Sequence, residues 1–510
     1  MITNAIEYLM RTVTRFPSKI AVQDGQGTYT FSQLDAEARR ISSALLAHNC
    51  GSNDAVAVYL PKTRQAVACF LGTLFSGNCY APLDVRSPVA RTRAILDRLR
   101  PIAIVTDEAH RKALLEAEAD DRSILLIDKL APPAPNGQQA RISQVIDTDP
   151  IYVLHTSGST GVPKGVTITH RGVIDYTEWA VATYRIEEHT IIGNQAPFFF
   201  DNSTLDLYLC LATGATLILV PEELFLFPVR LIGYLREHKV NLIFWVPSVL
   251  VNVANLDILS QVDLPPLKHI LFAGEVMPTK QLTYWRKWFP AALFSNLYGP
   301  TEITVDCTYF IINRDFRDDE PLPIGFPCRN TDVLILNERN ELARTGERGE
   351  LCVRGSSLAL GYWNDPEHTA ASFTVNPLQS HYPERIYRTG DLVYRDAAGV
   401  IMFVGRTDYQ IKHMGYRIEL GEIEAAVMTL PRLRNCCVLY DAATSRIALF
   451  VTADRQLDAG IVRRELTSKL PKYMLPGVCI QMPALPHNAN GKIDRTLLAQ
   501  KLQNAHAAAN

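Results

Sequence analysis

Residues 156–165 have the sequence Thr156-Ser157-Gly158-Ser159-Thr160-Gly161-Val162-Pro163-Lys164-Gly165, and the rest of the chain is interpreted from this segment outward. It lies between two apolar, strand-like runs at residues 151–154 and 166–169. Its glycines let backbone N–H groups approach an anion closely, its hydroxyls add donors, and Lys164 adds a positive charge. This composition is typical of a phosphate-binding loop, although a flexible Ser/Gly turn fits the isolated segment equally well. A Walker loop is excluded, because the glycine-to-lysine spacing differs and a strand rather than a helix follows.

Length and composition indicate a globular protein with several folding units. The chain has 510 residues, of which 47% are hydrophobic and 20% charged, and its formal net charge is −2. At roughly 100–200 residues per domain, this length predicts about two to four units. The balanced charge argues against nucleic acid or a membrane surface as a partner. The chain has ten cysteines but no C-x-x-C pair, which predicts reduced thiols. It has no apolar leader and no long apolar run, so we expect a cytoplasmic protein.

Hydrophobic periodicity predicts the fold class. Leu34, Ala38, Ile41 and Leu45 are spaced as one face of a helix. Strand-like runs precede and follow it, at residues 19–22, 56–60, 102–106, 124–127, 217–220, 242–246 and 269–273. Further helical patterns lie among these runs, at residues 64–75, 229–238 and 279–288. This alternation over the first 400 residues predicts α/β layers with mostly parallel sheets.

The pattern changes after Gly405. A helix after Glu419, strands at residues 437–440 and 448–452, and a helix around residues 460–470 predict a separate α+β unit of about 100 residues. We therefore expect an N-terminal domain of residues 1–405 and a C-terminal domain of residues 406–510. The polar segment between them, residues 405–412, is short enough to be a hinge rather than a tether.

Four further motifs follow the loop. They are Tyr298-Gly299-Pro300-Thr301-Glu302, Tyr387-Arg388-Thr389-Gly390-Asp391, Gly405-Arg406-Thr407-Asp408 and Asn490-Gly491-Lys492. Each alone is common in turns. In this order, from about residue 5 to residue 498, the chain resembles the adenylate-forming superfamily of amino acid adenylation domains, acyl-CoA synthetases and luciferases. The segments GRTDYQIKHMGYRIELGEIE and FAGEVMP are most similar to free-standing amino acid:carrier protein ligases, including the D-alanyl carrier ligases.

The resemblance implies a fold and a reaction. The fold is a large N-terminal domain of layered α/β subdomains with a small, mobile α+β C-terminal domain. The reaction uses ATP and Mg²⁺ to convert an amino acid to aminoacyl-AMP and pyrophosphate, which replaces a poor leaving group with AMP. The aminoacyl group then passes to the phosphopantetheine thiol of a carrier protein. The 510 residues contain no recognisable carrier or condensation domain, so a separate carrier, or another part of a longer chain, is expected.

The resemblance also implies which residues bind ATP and the metal. Residues Thr156, Ser157, Gly158, Ser159, Thr160, Gly161 and Lys164 would hold the β- and γ-phosphates. The other ATP-binding positions are Asn296 and Tyr298 at adenine, Thr301 at the α-phosphate, Asp391 at both ribose hydroxyls, Arg406 at ribose or phosphate, and Lys412. Glu302 would ligate Mg²⁺. Taken singly, Asp391 fits a turn cap and Glu302 a helix start better than a ligand-binding role.

Two positions are implied for the catalytic cycle. Lys492 would bridge the substrate carboxylate and the α-phosphate, where a cation between two anions lowers their repulsion. Alone, it fits an ordinary surface lysine. Asp408 would be the hinge about which the C-terminal domain turns between the two half-reactions, or a plain linker residue. In the second pose, Gly415 would line the tunnel that admits the thiol.

The substrate pocket is implied by residues 198–206. Asp201 would hold the α-ammonium of an amino acid, unless it caps a helix that begins at Thr204. The other substrate-binding positions are Asn202, Leu205, Phe244, Leu271, Ala273, Leu297, Val305 and Asp306. D-Alanyl carrier ligases usually have Cys at the position of Ala273 and a small residue at that of Asp306. In so apolar a wall, Asp306 predicts a substrate with a polar tip, such as serine or a diamino acid, unless it turns away to pair with Arg, Lys or a backbone N–H.

Two rival functions are considered. An acyl- or aryl-CoA synthetase is disfavoured by Asp201 and by the lack of an obvious basic cluster for the CoA phosphates. A catalytically silent nucleotide-binding scaffold would be expected to lack Lys492, Glu302 or Asp391, and all three are present.

Overall fold

The computed structural model describes residues 2–48, 50–132, 141–158, 162–406, 410–430, 433–442, 444–453, 456–486 and 493–507. Of these, residues 504–507 are described by their backbone only. In chain order, the strands are β1 Ile20–Asp24, β2 Gly27–Thr30, β3 Ala55–Tyr59, β4 Cys79–Pro82, β5 Ala103–Thr106, β6 Ile124–Leu126, β7 Pro150–Thr156, β8 Lys164–Thr169, β9 Ile191–Asn194, β10 Thr216–Leu219, β11 Leu242–Trp245, β12 His269–Phe272, β13 Leu293–Tyr298, β14 Thr308–Ile311, β15 Phe326–Pro327, β16 Thr331–Leu336, β17 Gly349–Gly355, β18 Gly361–Tyr362, β19 Phe373–Val375, β20 Arg385–Arg395, β21 Ile401–Arg406, β22 Gln410–His413, β23 Tyr416–Glu419, β24 Leu433–Asp441, β25 Arg446–Ala453 and β26 Val478–Gln481.

The α-helices are α1 Ile6–Arg15, α2 Phe31–Ala47, α3 Arg64–Phe75, α4 Val89–Leu99, α5 Glu108–Glu116, α6 His170–Tyr184, α7 Asn202–Thr213, α8 Pro228–Glu237, α9 Pro247–Asn255, α10 Thr279–Trp288, α11 Pro366–Ser372, α12 Leu420–Met428, α13 Ala459–Thr467 and α14 Arg495–Ala507. Several begin at a side-chain cap. Thr30 and Gln33 form a capping box at α2, and Thr63 accepts from the N–H of Ala66 at α3.

Two large mixed sheets form the N-terminal part of the chain. The first has the order β15-β14-β13-β12-β11-β9-β10-β1-β2, and the second has the order β18-β8-β7-β4-β3-β5-β6. The central strands of both are parallel, as predicted. Antiparallel strands lie at both edges of the first sheet and at one edge of the second, whose other edge strand, β6, is parallel.

Helices cover both faces of both sheets. The largest apolar cluster joins the two sheets through α2, α3, α6 and α7, with members such as Leu34, Val67, Val173 and Leu205. Helices α8, α9 and α10 cover the outer face of the first sheet, and α4 and α5 that of the second. The layered α/β architecture predicted from the sequence is therefore confirmed.

One region differs from the prediction of α/β structure up to residue 400. Strands β16, β17, β19, β20 and β21 form a third sheet that is antiparallel throughout. The burial pattern of β20 alternates along the strand, which is typical of an antiparallel sheet with one covered face. The sheet places Asp391 and Arg406 opposite each other on neighbouring strands.

The C-terminal unit, here the described residues from 410 to 507, contains a hairpin and a separate small sheet. The hairpin pairs β22 with β23, and β24, β25 and β26 form the sheet against α12, α13 and α14. Its apolar clusters comprise residues from Ile411 onward, whereas the N-terminal clusters end at Phe403. The predicted α+β character is confirmed.

Candidate active site

A cleft of about 880 Å³, including the part open to solvent, lies where several strands of the two large sheets end. Its walls follow the carboxyl ends of β7, β12 and β13, which is the usual ligand position in open α/β sheets. Ser157, Gly274 and Thr301 represent these three ends, and Lys412 and Arg417 enter from the hairpin of the C-terminal unit. Residues that are far apart in sequence thus share one cavity.

The described part of the phosphate loop is held by the C-terminal unit. The Ser157 hydroxyl donates to the Arg417 carbonyl at 2.8 Å and accepts from the N–H of Glu419 at 3.1 Å. The N–H of Gly158 donates to Oε2 of Glu422 at 3.3 Å. Gly158 has no room for a side chain, because an added Cβ would collide with the Val162 carbonyl oxygen. One donor of the predicted phosphate loop, the N–H of Gly158, is therefore bound to a carboxylate.

Lys164 follows this loop in the chain. It is the first residue of β8 and pairs with Thr156 across the β7–β8 hairpin. Its ammonium lies 5.4 Å from the ring centroid of Tyr362, outside the residues that line the cleft. His155 lines the cleft beside Thr156, and burial lowers the pKa of its imidazole to about 3, so it is neutral.

Tyr298, Asp391 and Arg406 form a connected group at the end of β13. Both carboxylate oxygens of Asp391 are engaged, one by the Tyr298 hydroxyl and the other by Nη1 of Arg406 at 2.6 Å. The Lys412 ammonium lies 5.5 Å from the ring centroid of Tyr298. Asn296, two residues earlier, donates its amide to the Pro323 carbonyl at 2.7 Å and does not line the cleft.

Glu302 is fully buried and accepts one donor on each oxygen. The Tyr362 hydroxyl donates to Oε1 at 2.8 Å, and Nη1 of Arg417 donates to Oε2 at 2.6 Å. Burial by itself raises the pKa of Glu302, but the charge of Arg417 and the Tyr362 hydroxyl outweigh it and lower the pKa below its ordinary value. The carboxylate is therefore ionised and paired.

Asp201 is a half-buried carboxylate that faces the cleft. It precedes α7, but its side chain makes no capping hydrogen bond to the described helix backbone, so the capping interpretation is wrong. Burial raises the pKa of Asp201, and the Thr301 hydroxyl and the Lys412 charge partly offset this rise. A cationic ligand group beside it would favour the ionised form.

Asp306 is a second carboxylate in the same cleft. It is buried, and its Oδ2 accepts a hydrogen bond from the Tyr176 hydroxyl at 2.6 Å. Burial raises the pKa of Asp306 to about 7, and the nearby charge of Asp201 acts in the same direction. Among the residues that the structure describes, no Arg or Lys forms an ion pair with Asp306. The carboxylate therefore turns toward Tyr176 while still lining the cleft.

A strained turn positions Asp306. Thr304 and Val305 have φ values of 60° and 71°, which β-branched residues rarely adopt, at a cost of about 1–3 kcal/mol each. The Thr304 hydroxyl donates to the Ser357 carbonyl at 2.8 Å, and the N–H of Cys307 donates to the Tyr298 carbonyl at 2.8 Å. An added Cβ on Gly299 would lie 2.6 Å from Cα of Asp306. Several contacts thus hold this backbone against its own preference.

Two family models match the sequence of this chain. The family model described as AMP-binding enzyme matches residues 9–363, and that of the AMP-binding enzyme C-terminal domain matches residues 422–492. The chain belongs to the AMP-binding enzyme family. The resemblance inferred from the five motifs is confirmed.

Named relatives of this AMP-binding enzyme are similar over nearly its whole length. The L-proline--[L-prolyl-carrier protein] ligase of Pseudomonas fluorescens is 33% identical over 514 residues, covering 98% of this chain and 99% of that protein. The D-alanine--D-alanyl carrier protein ligase of Lacticaseibacillus rhamnosus is 34% identical over 520 residues, covering 98% and 99%. The structure of holo-PA1221, an NRPS protein containing adenylation and PCP domains bound to a vinylsulfonamide inhibitor, matches with a TM-score of 0.84 and 25% identity, covering 98% of this chain and 84% of that chain.

Five of the predicted site residues, Gly158, Lys164, Asn296, Tyr298 and Glu302, have been described above and do not line the cleft. The others fall into three groups. Those that line the cleft are Thr156, Ser157, Asp201, Asn202, Ala273, Thr301, Val305, Asp306, Asp391, Arg406 and Lys412. Those that are buried elsewhere in the core include Leu205, Phe244, Leu271 and Leu297, which belong to the same apolar cluster as Ala273 and Val305. Ser159, Thr160, Gly161, Asp408 and Lys492 lie outside the described residues.

Several residues of the site had no predicted role. Tyr176 reaches Asp306 from α6, 130 residues away in sequence, and no sequence pattern pointed to it. Arg417 lies in the segment GRTDYQIKHMGYRIELGEIE, and the resemblance of that segment to carrier protein ligases is the sequence signal that could have pointed to Arg417. Glu275 accepts a hydrogen bond from the N–H of Gly415 at 2.8 Å. Gly415 has a φ of +81°, and an added Cβ there would lie 2.7 Å from the side chain of Val246. Gly415 thus permits the hairpin to approach the N-terminal strands closely.

None of the helices in the described part of the chain is both long enough and apolar enough to cross a bilayer.

Proposed function

We propose that this protein is an ATP-dependent amino acid:carrier protein ligase. The observation that carries the proposal is Asp201, a half-buried carboxylate without a cationic ion-pair partner among the described residues, which faces a cleft lined by the predicted nucleotide-binding motifs. Buried carboxylates are costly unless paired, and the α-ammonium of an amino acid would supply the partner. The relatives named for proline and D-alanine carrier ligation support the same reaction.

The residues divide the work of the first half-reaction. Asp201 would orient the amino acid, and Thr301, beside it, would contact the α-phosphate. Asp391 and Tyr298 would hold ribose and adenine, and Lys492 would lie between the reacting carboxylate and phosphate. The product of this step is aminoacyl-AMP with release of pyrophosphate, and a phosphopantetheine thiol then attacks the acyl carbon and releases AMP.

Mg²⁺ accompanies ATP in this proposal, with Glu302 as its ligand. Carboxylate oxygens suit Mg²⁺. In the observed arrangement, however, Tyr362 and Arg417 already occupy the two oxygens of Glu302, so the residues do not fit a metal while the hairpin is in place.

The direct test is a pyrophosphate exchange assay over D-, L- and β-amino acids. We expect exchange that depends on one small or medium amino acid, followed by thioester formation on phosphopantetheine. Exchange with carboxylic acids that lack an amine, followed by transfer to CoA, would indicate the acyl-CoA synthetase instead. ATP binding without turnover of any of these acids would indicate the silent scaffold.

The substrate class follows from Asp306 and Tyr176. We propose a small or medium amino acid with a polar tip. A hydrogen-bond donor on its side chain would bind Oδ1 of Asp306, the carboxylate oxygen to which Tyr176 does not donate. No Arg or Lys among the described residues forms an ion pair with Asp306, and a buried carboxylate is costly without a partner.

Replacing Asp306 with alanine is expected to change the substrate ranking. Wild type should prefer serine or a diamino acid, and D306A should lose that preference by about 10- to 100-fold relative to alanine, as for a charge-assisted hydrogen bond of about 1.5–3 kcal/mol. Because burial raises the pKa of Asp306 to about 7, KM for a diamino acid should fall as pH rises from 6 to 8, whereas KM for alanine should not. A wild type that prefers alanine, valine or leucine, with the ranking unchanged in D306A, contradicts this assignment.

The hinge is also proposed rather than observed, since Asp408 lies outside the described residues. Proline fixes φ near −65° and restricts rotation about the segment. D408P is expected to slow one half-reaction at least about tenfold more than the other, with an unchanged thermal unfolding midpoint. Pre-steady-state assays of adenylate formation and of thioester formation would measure the two steps separately. If D408P affects both steps equally, the hinge lies elsewhere in the chain.

A further inference from the structure

Asp206 and Asn194 form a buried polar pair between α7 and β9. Asp206 is in the second turn of α7, Asn194 is the last residue of β9, and neither has any exposed surface. The Asn194 amide donates to Oδ2 of Asp206 at 2.9 Å. In the part of the chain that the structure describes, the other oxygen of each residue, Oδ1 in both, is buried without a hydrogen-bond partner. Each side of the pair is therefore left with one unsatisfied acceptor.

A single proton would satisfy both acceptors. Buried acceptors without a partner are uncommon in folded proteins, because each one costs stability. An ionised carboxylate can only accept, whereas a carboxylic acid also has one O–H donor. With that proton on Oδ1 of Asp206, the O–H donates to Oδ1 of Asn194 while the Asn194 amide donates to Oδ2. The acid and the amide then bind each other in both directions, and neither oxygen is left over.

The surroundings of Asp206 favour this uncharged form. Burial raises the pKa of Asp206 to about 8, although the Asn194 amide and the charge of Lys62 act in the opposite direction. Strands β9, β10 and β11, which pack against α7, contain no titratable residue. Helices α1 and α6 carry charged residues, but the charged group that acts on Asp206 is Lys62, on the loop after β3. Its ammonium donates to the Gln195 carbonyl at 3.1 Å.

The pair joins the two ends of the segment that carries Asp201. Residues 195–205 connect Asn194 to Asp206, and Asp201 within them lines the cleft. The first end is fixed to the sheet, because the N–H of Val220 donates to the Asn194 carbonyl at 3.2 Å. Asp201 makes no capping hydrogen bond to α7. Its position therefore depends on where α7 begins, and the pair with Asn194 ties α7 to the sheet.

We propose that Asp206 is uncharged in the folded enzyme and pairs with Asn194 through two hydrogen bonds, and that this pair positions Asp201 to bind the amino acid. The second half of the inference rests on the proposed function, because it takes Asp201 as the site of the α-ammonium group. Asp206 is a positioning residue in this scheme, since it acts on the substrate only through the segment before it. Loss of its proton removes one hydrogen bond and leaves a buried charge, so the segment is held less firmly as pH rises.

Infrared difference spectroscopy tests the uncharged state without any substrate. The C=O stretch of a carboxylic acid differs in frequency from the bands of a carboxylate and of the peptide backbone. The spectrum of wild type minus that of D206N at pH 6 should contain a carboxylic acid band, and this band should decrease as pH rises through about 8. Asp306 also has a raised pKa, but it is present in both proteins and its band cancels in the difference. A difference spectrum with only carboxylate bands at pH 6 overturns the proposal.

Chemical denaturation tests the two hydrogen bonds. An amide at position 206 can both donate to and accept from Asn194, so D206N should keep the denaturation midpoint of wild type at pH 6. D206L removes both bonds and should lower the midpoint. The carboxyl of Asp206 binds its proton more tightly in the folded state than in the unfolded chain, where its pKa is about 3.9. The unfolding constant of wild type should therefore rise relative to that of D206N by up to about tenfold per pH unit between about pH 5 and 8. D332N, which removes a half-exposed carboxylate on β16, should follow the pH dependence of wild type.

Amino acid binding tests the positioning role. In the pyrophosphate exchange assay, the ratio of KM for the amino acid in wild type to that in D206N should rise about tenfold from pH 7 to pH 9, because about one tenth of the wild-type molecules keep the proton at pH 9. The ratio removes the titration of the free amino acid, which is the same for both proteins. KM for ATP should have the same pH dependence in both, and D206L should have a raised KM for the amino acid at either pH.

The outcomes separate this inference from the proposed function. A D206N variant that is destabilised as much as D206L at pH 6 means that position 206 needs a charge, which overturns the proposal. A carboxylic acid band together with a KM ratio that does not change with pH overturns the positioning role. If no amino acid supports exchange while the band and the denaturation profile are as expected, the proposed function is wrong and the uncharged pair stands.

Discussion

Replacement of Lys492 with alanine is expected to lower the rate of adenylate formation about 10²–10³-fold, the usual loss when one charge contact to a transition state is removed. The reacting carboxylate and the α-phosphate are both anionic, and their repulsion is greatest as the new bond forms. Pyrophosphate exchange measures this step. Thioester formation from supplied aminoacyl-AMP should be retained, because the implied role of Lys492 is confined to the first half-reaction.

The matched control is K501A, which removes an exposed lysine on α14 and should leave both rates unchanged. Equal losses of both half-reactions in K492A would refute the division of roles. A rate of adenylate formation within about threefold of wild type would place Lys492 among ordinary surface lysines.

Replacement of Asp201 with asparagine is expected to reduce kcat/KM for the amino acid by roughly 10²–10³-fold. Removing one partner of a buried ion pair costs about 3–5 kcal/mol, and each 1.4 kcal/mol is a factor of ten. Asparagine keeps the shape of the side chain, so the loss reports the charge. The measurement is amino acid-dependent pyrophosphate release under subsaturating conditions.

The control for D201N is a substrate rather than a variant. The corresponding carboxylic acid without its amine should react no more slowly with D201N than with wild type, and the ratio of the two substrates should therefore shift toward the desamino acid. If D201N slows both substrates equally, Asp201 supports the fold of the pocket and does not bind the ammonium.

Much of the fold could be predicted because local signals agree with tertiary packing. The predicted bounds of α3 and α10 match the structure, and α3 has an apolar surface that is buried along its whole length behind a threonine cap. The third sheet was not predicted. Its longest strand, β20, alternates in burial with polar residues on one face, and a prediction based on apolar runs does not detect such a strand.

The site could be predicted only where a motif marks it. Asp201, Thr301, Asp391 and Arg406 lie in motifs, and the structure brings them to one cleft. Tyr176 is different, because its contact with Asp306 depends on how α6 packs beside the turn after β13. The pairing of Arg417 with Glu302 depends on the placement of one folding unit against another, which no local pattern encodes.

The strained turn at Thr304 and Val305 has a consequence for how the substrate range of such an enzyme can evolve. The backbone that presents residue 306 is fixed by contacts to Ser357, Tyr298 and Gly299, none of which involve the carboxylate of Asp306. Exchange of that side chain would remove the hydrogen bond from Tyr176 but none of the contacts that hold the turn. Under the role proposed for Asp306, a substitution at position 306 would change what the pocket accepts, whereas Gly299 tolerates no side chain, because an added Cβ there would lie 2.6 Å from Cα of Asp306. New acyl specificities would then need only one substitution, on a backbone that stays the same.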